Sequence, residues 1–354
     1  MASRFSYMYF THPQFKKFPL RTFFGKISEA DFKNKLAKVF PDYQIILTDS
    51  GRSAFRLAIE QLNLENSEMI MPAYICDIFK QIMEKYNIKP IYLDTNHKTF
   101  LADFSDIESK ITPQTKSILI CHTYGLLNEM NRISEIAKKY NLKIIEDCAH
   151  IAPITLLKSD AMFFSFAKVF PVVSGGMLVC KNQMEIELPK YESKLFNIVK
   201  FLRLFPVLAK LSEKFRSWEP NIKNQKKIQK ASKECLGIVN YCMENLENNL
   251  AKRINLAKYF QKRLLEIGFM VQESENNTFT YLSALVPKNI DRDELFNKLR
   301  KKEIFCSRIW QKPIYPNLPN TSCIAERIIN FPLQNWFTEK DIDKITAGIL
   351  SSMG

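Results

Sequence analysis

A lysine and an aspartate follow two apolar runs near the middle of the chain. Asp147 comes directly after Ile144-Ile145-Glu146, and Lys168 follows the apolar run Met162–Phe166. A lysine that forms an imine, facing a carboxylate that keeps a pyridine nitrogen protonated, is what pyridoxal phosphate chemistry requires of a protein. Burial would depress the pKa of Lys168 and favour its neutral amine. His150, just beyond the aspartate, would hydrogen-bond a ring oxygen or pack on the ring.

Each of these residues also has an ordinary structural interpretation. A lysine at a strand end often extends along apolar surface to reach water, and an aspartate often caps a helix. A lone histidine is more often a hydrogen-bonded, half-buried side chain. The prediction of Lys168 as the catalytic lysine therefore rests on its pairing with Asp147.

A short loop, Ser50–Ser53, has the composition of a phosphate-binding turn. Gly51 permits close backbone approach, and the amides of Arg52 and Ser53 would open a helix, where a phosphate dianion is favoured. Ser165 could add a hydroxyl to the same phosphate. The loop is short and weak evidence by itself, since Ser-Gly at a helix start is common.

The elements that must position these residues alternate in type from residue 43 to about residue 180. The predicted strands are Tyr43–Thr48, Met69–Met71, Pro90–Leu93, Ser117–Cys121 and Leu142–Glu146, and the predicted helices are Ser53–Leu62, 75–86 and Asn131–Tyr140. This order predicts an α/β fold with a mostly parallel sheet and helices on both faces. Ligands of such sheets collect at the carboxyl ends of the strands. Thr48–Ser53, His122–Gly125 and Asp147–His150 follow strands, and we expect them to share one site.

The character of the chain changes near residue 190. We predict a large cofactor-binding domain with an N-terminal extension over 1–190, a basic insertion or linker over 191–234, and a small α+β domain over 235–354. The small domain would hold one long helix over 235–268, a strand at Thr280–Val286, and helices near 292–301 and 338–350, while 220–233 would be a loop.

The segment 193–217 is both basic and apolar. Such a segment can lie on an anionic membrane surface. The alternative, which we favour, is a helix packed on the body of the protein or at a subunit interface.

Composition limits the remaining classes of function. The net charge of +14 indicates either lysine-rich solvated surfaces or a field that attracts an anionic, phosphorylated or nucleotide-linked ligand. The basic residues are dispersed and no nucleic-acid motif accompanies them, so we expect no nucleic-acid partner. The eight cysteines show no metal-binding spacing, and we expect reduced thiols, no metal and a cytoplasmic protein. We find neither a signal-peptide pattern nor an apolar run of membrane-spanning length.

Taken in order, these motifs resemble those of the DegT/DnrJ/EryC1/StrS family of sugar aminotransferases, which have the type I fold of pyridoxal phosphate enzymes. The matching segments span roughly residues 44–350 and are Asp49–Ala54, Pro72–Cys76, Asp94 with Phe100-Leu101, Ile111–Lys116, His122–Gly125, Glu146–His150, Ser165–Lys168 and Pro332-Leu333. The resemblance implies that Gly51, Arg52, Ser53, Cys76, Asp147, His150, Ser165 and Lys168 bind pyridoxal 5'-phosphate. It also implies a homodimer.

Three departures from the family pattern bear on function. Ser165-Phe166-Ala167-Lys168 lacks two residues of the family's lysine motif, so Lys168 either reaches the cofactor from a shifted strand end or has a weakened role. Cys76 stands where the family has an aromatic residue over the cofactor, and Tyr74 is the nearby candidate to replace that aromatic residue. The family's Asn-x-Arg-Met segment is not recognisable, although Asn240-Tyr241 is the nearest candidate.

The function that the resemblance implies is transfer of an amino group from an amino acid, expected to be glutamate, to a nucleotide-linked keto-sugar. The product would serve amino-sugar or surface polysaccharide biosynthesis. A small phosphorylated ketone is an alternative acceptor. A dehydratase is disfavoured because that branch of the family has histidine in place of Lys168. A non-catalytic or regulatory member that retains only the fold is the third alternative.

Overall fold

The predicted strands form one sheet, which has seven strands within the described parts of the chain. The computed structural model describes residues 27–153, 159–181, 186–192, 227–273, 275–331, 333–334 and 336–354. The strands are β1 (Gln44–Thr48), β2 (Glu68–Pro72), β3 (Lys89–Leu93), β4 (Thr115–Cys121), β5 (Lys143–Asp147), β6 (Ala161–Ser165) and β7 (Gly176–Cys180). Their order is β1-β7-β6-β5-β4-β2-β3. Of these seven strands, only β7 runs opposite to the other six, so the prediction of a mostly parallel sheet is confirmed.

Five helices of the described chain accompany this sheet. They are α1 (Glu29–Ala37), α2 (Gly51–Gln61), α3 (Ile78–Lys85), α4 (Met130–Lys139) and the short α5 (Phe166–Val169). The three helices predicted here are confirmed, with their ends moved by a few residues. Helix α2 begins earlier than predicted because Ser50 caps it, its Oγ accepting a hydrogen bond from the Ser53 N–H at 3.3 Å.

Strand β6 shows how the sheet is covered on both faces. Successive side chains of a strand point to opposite faces. Phe164 packs against Phe40 on one face, with ring centroids 5.7 Å apart, while Phe163 packs against Phe55 of α2 on the other, at 5.0 Å. Each face therefore has its own apolar core. Burial on both faces explains why these strands are continuously apolar in sequence.

The C-terminal part of the chain has a smaller antiparallel sheet. Its strands are β8 (Met270–Val271), β9 (Leu282–Leu285) and β10 (Ile328–Phe331), in the order β10-β9-β8. The helices of this part are α6 (Lys233–Met243), α7 (Leu246–Glu266), α8 (Arg292–Lys301), α9 (Pro319–Arg327) and α10 (Glu339–Met353). A third apolar core lies between this sheet and its helices. The exact domain boundaries stay a prediction.

The prediction of one long helix over 235–268 is wrong. The chain leaves helical geometry at Asn245, where φ is −123° and ψ is 21°, and two helices result. Cys242 packs in the core of the large sheet, whereas Leu264 packs in the core of the small sheet, so the break lets the chain pass from one core to the other. Because the apolar spacing continues across the break, the sequence pattern could not reveal it.

Some predictions fall outside the described residues. These are the segment 193–217, Pro332 and the first half, 220–226, of the loop predicted over 220–233. The described second half of that loop ends where Lys233 begins α6. Among the helices that the structure describes, none is long and apolar enough to span a bilayer.

Candidate active site

The predicted functional residues meet at the carboxyl edge of the large sheet. Strands β4, β5 and β6 lie side by side and run parallel, so their last residues, Cys121, Asp147 and Ser165, face the same edge. The Ser50–Ser53 loop at the start of α2 lies beside these strand ends, because a Cβ placed on Gly51 would lie 3.0 Å from the Cβ of Ser165. The structure thus brings the aspartate, the serine and the glycine loop into one region.

Lys168 reaches this region from α5, the single helical turn that follows β6. Phe166 and Val169 anchor the turn in the core, while Lys168 is half-buried. Its Nζ lies 3.3 Å from Nε2 of His150. The shortened lysine motif therefore still delivers an amine to the edge of the sheet, next to the residues expected to share the site.

The direction in which we expected the pKa of Lys168 to move is wrong. Burial by itself would lower the pKa of this ammonium, but the Asp147 carboxylate opposes burial, and the pKa is raised above its ordinary value. Cys76, Cys121 and Tyr281 also face the amine and act in the same direction as Asp147. Before a cofactor binds, the lysine is thus drawn toward its charged form.

Asp147 ends β5 and is almost fully buried, at 3% exposure. Its Oδ1 accepts the N–H of Ala149 at 2.9 Å, and the thiol of Cys121 lies 3.7 Å from its Oδ2. Burial raises the pKa of Asp147, against the opposing effect of Lys168. A cation placed beside such a buried carboxylate, for example a protonated ring nitrogen, stabilises its ionised form.

His150 is held from two sides. Its Nδ1 accepts the backbone N–H of Tyr124 at 3.0 Å, and its carbonyl accepts the hydroxyl of Thr280 at 2.5 Å. Burial, and after it the charge of Lys168, hold the pKa of His150 well below its ordinary value. The imidazole is therefore neutral, with Nε2 directed at the lysine amine.

The phosphate-loop residues and Cys76 border the same region. Arg52 is half-buried, and burial lowers the pKa of its guanidinium while Cys76 and Asp49 oppose the change. Cys76 is also half-buried, and burial raises the pKa of its thiol while Lys168 opposes it. Arg52 and Lys168 thus both interact with Cys76, which links the loop to the lysine.

Two aromatic residues of the site were missed by the sequence reasoning. The indole of Trp310 stacks on His150, with centroids 5.2 Å apart and planes at 27°, and Tyr281 meets the same imidazole edge-on at 5.1 Å. Trp310 also stacks on Tyr124 at 5.3 Å and meets Tyr74 edge-on at 5.4 Å. The backbone of Trp310 has φ of +60°, a strained value for a bulky residue. The strained backbone marks Trp310 in the structure, but no pattern in the sequence indicates that either residue belongs to the site.

A buried cluster behind Asp147 has the donor types of a metal site. His122, Glu146 and Cys148 bring their donor atoms within 4.8 Å of one another. However, Nδ1 of His122 accepts the N–H of Asn128 at 3.1 Å, so the ring proton is on Nε2, 2.8 Å from Oε2 of Glu146. Nε2 therefore carries a proton that it donates to Glu146, where a metal site would need a lone pair.

This sheet, with a lysine, an aspartate and a glycine-lined loop at its carboxyl edge, has the architecture of the type I pyridoxal phosphate aminotransferases. The chain belongs to the DegT/DnrJ/EryC1/StrS aminotransferase family, whose sequence model matches residues 25–350. It is a pyridoxal phosphate-dependent transaminase.

Curated relatives and a solved structure are similar over most of the chain. The dTDP-4-amino-4,6-dideoxy-D-glucose transaminase of Shigella dysenteriae is 26% identical over 304 residues, covering 81% of this chain and 76% of that protein. The 3-oxo-glucose-6-phosphate:glutamate aminotransferase of Bacillus subtilis is 26% identical over 359 residues, covering 92% and 76%. The structure of NtdA from Bacillus subtilis, solved with bound PMP, has a TM-score of 0.66 at 23% identity, covering 98% of this chain and 87% of that one. The structural similarity shows the shared fold.

The residues present fit pyridoxal phosphate. The backbone packs closely around the loop, because a Cβ on Gly176 would lie 2.4 Å from the carbonyl carbon of Ser50. This close packing holds the loop in one conformation, as a phosphate-binding loop requires. The donor set is an amine at Lys168, a buried carboxylate at Asp147 and an imidazole N–H at His150. These are the partners that an aldehyde, a ring nitrogen and a ring oxygen require.

Proposed function

We propose that this aminotransferase moves an amino group from glutamate to a keto-sugar, most simply a nucleotide-linked one, in amino-sugar or surface polysaccharide biosynthesis. The observation that carries the proposal is the amine of Lys168 at 3.3 Å from His150, with Asp147 buried at the end of the neighbouring strand. The name of the Shigella relative supports a nucleotide-linked sugar, and the name of the Bacillus relative supports glutamate as the donor.

Each residue has a defined task in the proposal. When bound, pyridoxal phosphate accepts the amino group from the donor and passes it to the keto acceptor. Lys168 holds the cofactor through Nζ and, when free, carries a proton at that atom. Asp147 keeps the ring nitrogen protonated, and His150 donates Nε2–H to the ring oxygen. Ser50–Ser53 and Ser165 hold the phosphate, and the guanidinium of Arg52 in that loop supplies a positive charge.

The position of Lys168 supports a full catalytic role in spite of the shortened motif. The short turn of α5 brings the amine to His150 and into electrostatic contact with Asp147. The face of the cofactor that the family covers with an aromatic residue would here be bordered by Cys76.

A phosphorylated sugar without a nucleotide is the second candidate acceptor. The Bacillus subtilis relative is named for 3-oxo-glucose-6-phosphate. The two candidates share an anionic group, which the net charge of +14 would attract in either case. Turnover of matched nucleotide-linked and phosphorylated keto-sugars would separate them.

The test is an absorbance spectrum of the purified protein with added pyridoxal phosphate, before and after excess glutamate. We expect a band from the lysine-bound cofactor that glutamate converts to that of the pyridoxamine form. Lys168→Ala should show neither the band nor turnover, and borohydride should attach the cofactor covalently to the wild type alone. The absence of a band from the wild type, or full turnover by Lys168→Ala, would overturn the assignment.

The same proposal includes a homodimer in the cytoplasm, with the domain division 1–190, 191–234 and 235–354. Sites of this fold type are commonly completed by the second subunit. The segment 193–217 would pack on the protein or at the dimer interface, with peripheral membrane contact as the alternative. Sedimentation of the full chain with and without anionic vesicles would distinguish them.

A further inference from the structure

The imidazole of His150 is fixed in orientation by its surroundings. The side chain is 2% exposed and packs against two aromatic rings, its plane at 14° to that of Tyr124 and at 27° to that of Trp310. The backbone N–H of Tyr124 donates to Nδ1 at 3.0 Å. Tyr124 itself is anchored, because its hydroxyl donates to the carbonyl of Ile309 at 2.8 Å. The ring cannot turn without breaking these contacts.

The contact at Nδ1 decides which ring nitrogen carries the proton. A nitrogen that accepts a backbone N–H has no proton of its own, so the proton of the neutral imidazole is on Nε2. Nε2 is the atom that lies 3.3 Å from Nζ of Lys168. His150 therefore presents a hydrogen-bond donor to the lysine.

A donor at this position distinguishes the two forms of the lysine. An ammonium has three N–H donors and no lone pair, so it cannot accept the Nε2–H, whereas a neutral amine can. We propose that His150 is a positioning residue whose locked tautomer holds Lys168 as a hydrogen-bond acceptor and so favours the amine that captures the cofactor aldehyde. This inference rests on the proposed role of Lys168.

Other groups that face Lys168 oppose the effect of His150 on its protonation. Asp147, Cys76, Tyr281 and Cys121 all favour the ammonium form. Of these, Asp147 is the partner expected for the protonated ring nitrogen, which would neutralise its carboxylate. Once that pair forms, the charge of Asp147 no longer favours the ammonium form, while the fixed N–H of His150 still favours the neutral amine.

The capture step then balances as follows. The ammonium of Lys168 would release one proton to solvent, and the neutral Nζ would form a C=N bond to the aldehyde carbon as the C=O bond breaks. The aldehyde oxygen would leave as one molecule of water, together with the two hydrogens that Nζ still carries. His150 supplies no proton to the product and keeps its Nε2–H, which is then available to the ring oxygen.

The tautomer can be measured directly in the cofactor-free protein. The chain has four histidines, so the side-chain nitrogen signals in a ¹⁵N–¹H NMR spectrum can be assigned by substitution, with His150→Gln removing the relevant set. We expect a protonated Nε2 and an unprotonated Nδ1 for His150 at neutral pH. A proton on Nδ1, or on both nitrogens, would overturn the proposal whether or not Lys168 is the catalytic lysine.

A second experiment tests the consequence for Lys168. The rate of pyridoxal phosphate capture is measured by absorbance against pH for the wild type, His150→Gln and the matched control His97→Gln, which alters an exposed histidine. The glutamine can turn its carbonyl oxygen toward the ammonium, so we expect its profile to move up by about one pH unit, a tenfold slower capture at a fixed pH on the acidic limb. A profile unchanged in His150→Gln, or shifted equally in His97→Gln, would contradict the inference.

Discussion

Nε2 of His122 lies 2.8 Å from Oε2 of Glu146, and both side chains are completely buried. The pair lies directly behind the site, since His122 follows β4 and Glu146 precedes Asp147 on β5. The second oxygen of Glu146, Oε1, has no hydrogen-bond partner among the described residues. Within the described parts of the chain, this buried carboxyl group thus has a single hydrogen bond, which it accepts from the imidazole of His122.

We therefore expect His122→Ala to be strongly destabilising. The substitution leaves Glu146 and the N–H of Asn128 without partners in the core, at about 1–3 kcal/mol for each buried group. The free energy of unfolding, measured in urea, should fall by about 2–5 kcal/mol. His97→Ala, at an exposed position, should change it little. Equal losses in the two variants would mean that the pair does not stabilise the fold.

The residues at the strand ends could be predicted because a parallel sheet dictates their meeting. Asp147 and Ser165 end adjacent strands, and Gly51 opens the helix that packs beside them. Local patterns of burial and turn residues were sufficient for that prediction. The same reasoning placed Lys168 in the site, although its motif is shorter than the family's.

The aromatic residues of the site and the pKa of Lys168 depend on long-range contacts, which no local sequence pattern reveals. Trp310 and Tyr281 reach His150 from segments more than a hundred residues away, carried there by the packing of the small sheet. The prediction that burial lowers the pKa of Lys168 is wrong because Asp147 and the other groups that face the amine together outweigh burial. The burial of one residue does not determine its pKa where another ionisable group lies beside it.

Gly176 gives a test of the phosphate loop. A Cβ on this residue would lie 2.4 Å from the carbonyl carbon of Ser50 and 2.5 Å from the nitrogen of Gly51, both backbone atoms. Gly176→Ala should therefore displace the start of α2, cost about 1–3 kcal/mol of stability, and weaken pyridoxal phosphate binding. Urea unfolding and an absorbance titration measure the two effects.

The matched control for that substitution is Gly348→Ala in helix α10. Its Cβ would meet only the end of the flexible Ile304 side chain, at 2.6 Å, and alanine is favoured over glycine inside a helix. Cofactor affinity should be unchanged in this variant. If Gly176→Ala bound the cofactor as tightly as Gly348→Ala, the loop would not be the phosphate cradle.

His150 predicts a dependence of stability on pH in the cofactor-free protein. Its pKa in the folded protein is well below the ordinary 6.5, so below that pH the unfolded chain binds a proton that the folded chain does not. Stability contributed by the neutral imidazole is thus present above pH 6.5 and is lost as the pH falls. The loss should approach about 1.4 kcal/mol per pH unit.

The measurement is urea unfolding between pH 7.5 and about pH 5. His150→Gln should remove this part of the acid destabilisation, so its stability curve should be flatter than that of the wild type over the range. His97→Gln keeps His150 and should follow the wild type. Parallel curves for His150→Gln and the wild type would show that His150 accepts a proton as easily in the folded chain.

Asn330 connects the small sheet to the wall of the site. Its side-chain oxygen accepts the N–H of Ile309 at 2.7 Å, and its amide nitrogen donates to the hydroxyl of Ser283 at 2.8 Å. The carbonyl of the same Ile309 accepts the hydroxyls of Tyr124 and Tyr74. Both polar groups of Ile309 are thus fixed, immediately before the strained backbone of Trp310.

Asn330→Ala should therefore allow the segment around Trp310 to move, as well as lower the free energy of unfolding. It leaves the N–H of Ile309 without its acceptor, at about 1–3 kcal/mol, and it should let the indole of Trp310 move off His150. In a Trp218→Phe, Trp336→Phe background, where Trp310 is the remaining tryptophan, the emission should shift to longer wavelength as the indole meets water. Ser283→Ala removes a different partner of Asn330 and keeps the bond to Ile309, so it should leave the emission in place. An equal shift in both variants would mean that the bond to Ile309 does not hold Trp310.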